Sequence, residues 1–204
     1  MKKLLVPTLA LILAAASASA ASLAFDFKDP KGVNNATFKL DAPLEAISGS
    51  ANGISGKVMF DPAKPASLTG KIVIAAKSLH VGNPVMLEHL HSDGWLDVSK
   101  HPEITFEVVS VKNAKTTGTA TTADVTGKFT LKGVTKDLTI PAKITYLKDK
   151  LKARGGQQDG DLLVIRSNFT IKRSDFGIKP GEAEDKVSNE IEIGLSVAGA
   201  SPKA

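Results

Sequence analysis

From Glu103 the chain alternates strictly, with Ile104, Phe106 and Val108 on one side and Glu103, Thr105 and Glu107 on the other. This two-residue period belongs to a strand with one face in a core and the other in water. The rhythm recurs along the chain. Leu23, Phe25 and Phe27 alternate before the turn Asp29-Pro30-Lys31-Gly32, and Val33 to Leu40 and Leu68 to Ala76 give further strands. Val125 to Ile140 reads as a hairpin bending at Gly133, with Phe129, Leu131, Leu138 and Ile140 on one face. Ile144 to Leu147 and Leu162 to Ile165 flank a polar tip, Lys148 to Asp161, and Phe169 and Ile171 mark another strand. The longest alternation closes the domain, Ile191, Ile193, Leu195 and Val197 against Glu190, Glu192, Gly194 and Ser196. Asn113 to Asp124 lacks periodicity and reads as a loop, and residues 199–204 read as a flexible tail.

One stretch breaks the pattern. Asn83 is a good N-cap, Pro84 suits the first helical position, and Met86, Leu87 and Leu90 share an apolar face. The spacing predicts a short helix ended by Gly94, too short and too apolar to stand alone, which therefore lies against something hydrophobic. About eight to ten strands at this spacing indicate a sandwich or a barrel. Gly49, Gly53 and Gly56 fall inside strand-like sequence and suggest bends that let a sheet curl and close. The expected fold is all-β, an antiparallel lipocalin-like barrel with the helix capping its mouth.

Met1 to Ala20 has Lys2 and Lys3, an apolar middle and the small-residue site Ala18-Ser19-Ala20, the order of a cleavable signal peptide. Cleavage before Ala21 leaves 184 of the 204 residues, and loss of the two lysines leaves 24 basic against 21 acidic residues, lowering the formal charge from +5 to +3. The expected compartment is the periplasm or the medium beyond it. Zero cysteines exclude disulfides and thiolate metal sites, so a core must hold the domain, 21–198. Charge so mild, with few aromatics, argues against a nucleic-acid partner.

The runs EHLHSDGWLDVSKHPEITF, GKFTLKGVTKDLTIP, FTIKRSDFGI and EIEIGLSV, in that order, resemble the YceI-like family across nearly all of the mature chain. The resemblance implies an exported lipocalin-like barrel whose elongated apolar cavity holds a polyisoprenoid or a fatty-acid derivative, as a carrier or scavenger without catalysis. Physics is compatible with such a cargo, since each buried methylene contributes about 0.8 kcal/mol. Candidate wall residues are Phe25, Phe27, Phe38, Phe60, Ile74, Phe106, Phe129 and Phe169, with Met86, Leu90 and Trp95 as a lid. Arg173 is the candidate for an anionic head group, because a guanidinium grips oxyanions through parallel donors, with a structural pair to Asp175, Asp185 or Glu190 as its alternative.

The competing class is a metal-binding protein or metalloenzyme using His89 and His91 with His80, Asp93 and His101 nearby. On a helix, residues two apart project about 200° from each other, which argues against a shared ion. No HExxH, GxSxG or phosphate-cradling glycine loop occurs, and no cofactor is implied. Lys148, Lys150, Lys152 and Arg154 suit a passing contact with a membrane surface or, more simply, a solvated tip. An open lip rimmed with apolar residues would favour a homodimer.

Overall fold

The structure is a computed structural model and describes residues 22–203. The expected signal peptide lies outside them. In chain order the elements are β1 (Leu23–Asp26), β2 (Asn35–Asp41), β3 (Ala46–Ala51), β4 (Ile54–Phe60), β5 (Thr69–Ala75), β6 (Leu79–Val81), helix α1 (Pro84–His91), β7 (Glu103–Thr117), β8 (Ala120–Leu131), β9 (Val134–Leu147), β10 (Gly160–Lys172) and β11 (Glu190–Pro202).

The pairing order β1-β4-β5-β7-β8-β9-β10-β11 returns to β1 where Asp26 stands opposite Ala200, closing an antiparallel barrel of eight strands. The three remaining segments extend its wall. β1 and β2 follow one another along a single edge of β11, with Asp26 opposite Ala200 and Asn35 opposite Ser196. β4 and β3 are likewise separated only by Asn52-Gly53, and β5 and β6 by a 3-10 turn, Ala76–Ser78. Eleven segments therefore make eight staves, three of them kinked. Glycine permits the curl. Gly56 has φ of 117°, and a Cβ there would lie 2.1 Å from the Lys71 carbonyl oxygen, so no larger residue lets β4 cross β5 this closely.

Asn34 joins the kinked stave to its neighbour. Its side-chain Nδ2 donates to the Phe27 and Ala198 carbonyls, both at 3.0 Å, and its Oδ1 accepts from Ala198 N–H at 2.8 Å. The amide thus replaces a missing peptide in the ladder between β1 and β2. Arg154, donating to Asn34 Oδ1 and to Asp29 Oδ2 at 3.0 Å each, ties this joint to the turn between β9 and β10.

Two expectations are corrected here. Asn113 to Asp124 is no loop: β7 and β8 continue as a hairpin to Gly118, with Thr116 and Thr121 hydroxyls 2.8 Å apart. The β7 arm of its outer part is exposed, and on the β8 arm the inward, buried positions are the small residues Thr121 and Ala123, so the pairing leaves no bulky apolar alternation in the sequence. Residues 199–202 are not a tail either, because Gly199 to Pro202 pair with Gly160 to Leu163 of β10 and Gly199 lies against the Phe27 ring. The hairpin at Gly133 stands as expected, a two-residue turn with Lys132 at φ 49° and Gly133 at 74°.

The two barrel ends differ. At the lower end Phe25, Phe27 and Phe60 are fully buried, and Tyr146 meets Phe25 edge-on at 6.3 Å and donates to Asp161 at 2.6 Å. The basic tip, Lys148 to Arg154, is at this closed end, with Lys152 paired to Asp159 and Arg154 to Asp29. At the upper end stand α1 and the loop between β10 and β11.

Candidate functional site

A cavity of about 470 Å³ occupies the upper barrel, with a wall made almost wholly of aliphatic and aromatic side chains. Its strands place their inward alternate residues around one axis, as the period of two requires. Ile74, Phe106, Phe169 and Leu195 point inward and pack against the core yet stay only half buried, because one side of each borders a void. A filled core would have buried them.

Nine of the twelve candidate residues line this void. Phe38, Ile74, Phe106, Phe129 and Phe169 come from the barrel, Met86, Leu90 and Trp95 from the lid, and Arg173 from the rim. Phe129 fixes the aromatic wall by edge contacts to Phe169 at 6.3 Å and Phe176 at 5.5 Å. The Phe38 ring lies across Gly49, where a Cβ would come within 2.3 Å of it. Phe25, Phe27 and Phe60 are absent from the wall. They form the plug beneath the cavity, since inward direction alone says nothing about height along the axis. Sequence reasoning left out Leu40 and Ile47 on the kinked staves and Ile191, Ile193 and Leu195 on β11, all of them lining. The β11 alternation was the available signal.

The lid forms as its sequence dictates. Asn83 Oδ1 accepts from Met86 N–H at 3.1 Å, and Pro84 opens the helix. It ends at His91, earlier than Gly94, because Ser92 N–H reaches the Glu88 and His89 carbonyls and its hydroxyl donates to His89 O at 2.7 Å. No residue of α1 is fully buried. Its last turn is fastened by His91 Nε2 donating to the Leu79 carbonyl at 3.0 Å and by buried Leu96 and Val98 just beyond. That bond turns His91 toward β6, while His89 is exposed beside the cavity. Among the described residues no three His, Asp or Glu side chains gather as metal ligands would.

Arg173 is 1% exposed and touches no carboxylate. All five of its N–H donors go to backbone carbonyls: Nε to Ser188 at 3.2 Å, Nη1 to Ile178 at 2.9 Å and to Lys179, Nη2 to Val187 at 3.1 Å and to Glu182. Both expectations for it are therefore corrected. A guanidinium has five donors, so none is left for a head group, and carbonyl dipoles stand where an acid was expected. Its Cζ lies 5.9 Å from the Trp95 ring centre, and Lys179 Nζ 5.7 Å from it.

The YceI-like domain model matches residues 18–198. The chain belongs to the YceI-like family. Its relatives include a UPF0312 protein of Pseudomonas aeruginosa (strain LESB58), 35% identical over 153 residues, which are 75% of this chain and 73% of that protein. This YceI-like barrel is similar in fold to Burkholderia cenocepacia BcnA, with a TM-score of 0.63 and 24% identity, covering 81% of this chain and 94% of the other. It is also similar to a polyisoprenoid binding domain from Saccharophagus degradans implicated in plant cell wall breakdown, with a TM-score of 0.62 and 14% identity over 90% and 99% of the two chains.

Proposed function

We propose that this protein is an exported, non-catalytic carrier or scavenger that holds the tail of one long-chain lipid, an isoprenoid or a fatty-acid derivative, in the barrel cavity. The observation that carries the reading is the 470 Å³ void with an apolar wall. At the close packing of protein interiors a methylene takes about 25 Å³, so the void holds a tail of about 19 carbons. Burial at about 0.8 kcal/mol per methylene gives about 15 kcal/mol for such a tail, which against an association cost of about 4–7 kcal/mol leaves binding in the micromolar range or tighter. The likeness to a polyisoprenoid binding domain favours an isoprenoid, and the leader read in Met1 to Ala20 supports the periplasm as the place of action.

Native mass spectrometry and organic extraction of the exported protein from its own host test the reading. One defined long-chain lipid per protein is expected. Protein that emerges without lipid and fails to bind cis-parinaric acid, an 18-carbon fluorescent chain, overturns it.

A further inference from the structure

Lining residues that also face solvent mark where a cavity meets water. Apart from Thr37, those of this cavity cluster at one end: Glu45 in the turn between β2 and β3, Asn83, Val85 and His89 around α1, and Ala183 and Lys186 in the loop after β10. This is a mouth with three lips. In the first turn of α1 Val85 is 60% exposed, whereas the last turn is fastened to β6 through His91. The β2–β3 turn, with Leu44 66% exposed beside the opening, meets the loop through one backbone bond, Leu44 N–H to the Asp185 carbonyl at 2.9 Å.

The third lip has a fixed shape for an identifiable reason. Between Ile178 and Ser188 it presents five carbonyls to a single buried guanidinium, which also lies against Trp95 under the lid. Beyond Ile178, which is buried, the loop has little apolar material in the core, so its conformation depends largely on those bonds. The wall below the mouth is hydrocarbon, and ionisable side chains stand at its rim. A single-chain amphiphile therefore lies tail inward with its head beside Glu45, His89 and Lys186.

We propose that the tail of such an amphiphile enters and leaves through this mouth, and that Arg173 is a positioning residue that sets the exit rate by holding the 177–189 loop over it. The proposal rests on the carrier reading above. Leu44→Cys with Asp185→Cys tests the mouth: the chain has no cysteine of its own, and residues joined by that backbone bond are within disulfide reach. Preloaded with cis-parinaric acid, the oxidised double variant releases the probe at least about tenfold more slowly than the same sample after reduction. Arg173→Lys keeps the charge but has three donors for five carbonyls, and releases the probe about tenfold faster. It does so equally for parinaric acid and its alcohol, which a head-group contact would not. Equal release from oxidised and reduced protein overturns the mouth, and unchanged or acid-selective release from Arg173→Lys overturns the role of Arg173. An unmodified protein that binds neither probe overturns the carrier reading and the mouth with it.

Discussion

Replacing Leu195 with tryptophan separates a hollow barrel from a filled one. Leu195 on β11 projects into the void and is half buried. The substitution adds six heavy atoms, which at interior packing density occupy the space of about three methylenes of a bound tail. At about 0.8 kcal/mol each, the tail loses about 2.4 kcal/mol of binding, about fiftyfold in affinity. Stability responds in the opposite sense. In a filled core such overpacking costs about 1–3 kcal/mol, whereas here the void accepts the indole and the urea midpoint holds or rises. The assays are a titration with cis-parinaric acid, read from the probe's own emission, and urea unfolding of the ligand-free protein. A variant that binds the probe as tightly as before while losing more than about 1 kcal/mol of stability would refute the reasoning.

Asn34→Ala removes an amide that is 2% exposed and leaves the Phe27 and Ala198 carbonyls, the Ala198 N–H and one Arg154 donor without it. At about 1 kcal/mol per bond the domain loses about 3–4 kcal/mol, read as a lower urea midpoint. A loss below about 1 kcal/mol would mean that the ladder closes without the side chain. Asp29 gives a pH dependence with a definite sign. Burial pushes its carboxyl up, but backbone N–H groups of Asn34 and Lys31 and the Arg154 guanidinium outweigh that and hold it below the usual carboxylate range. The unfolded carboxyl titrates near about 3.9, so the stabilisation is present above about pH 4 and lost as pH falls through the folded value. The gap in urea midpoint between the wild type and Asp29→Asn therefore narrows from pH 7 to pH 3, and a gap independent of pH would sink this account.

Several features were legible because they are local. Asn83, Pro84 and the spacing of Met86 and Leu90 mark where a capped helix begins and which face it turns to the barrel, and Lys132-Gly133 adopts positive φ within its own hairpin. The alternation of Ile191, Ile193 and Leu195 announces a strand with one apolar face, and inward direction put Phe38, Ile74, Phe106, Phe129 and Phe169 on the cavity wall. The same reasoning failed for Phe25, Phe27 and Phe60, which point inward lower down. The outer part of β7 and β8 was missed because its β7 arm is exposed and its buried residues on β8, Thr121 and Ala123, are too small or polar to show an apolar face, and Gly199 because its pairing partner lies far away in the chain. Arg173 offered its charge to the reader but not its partners, which are carbonyls with no side-chain signature.

By itself, then, the sequence determined the strands, the capped helix and the resemblance to a family, since hydrogen-bond geometry and side-chain period act over a few residues. Only the tertiary structure decided which inward residues surround empty space and which plug the base, where the mouth opens, and that Asn34 stands in for a peptide while a buried guanidinium holds a loop. Those outcomes depend on the register and curvature of eight staves closing on one another, and on atoms brought together from more than a hundred residues apart, as Asn34 and Ala198 are. Period reports the face of a strand, and neither depth nor partner is encoded in it.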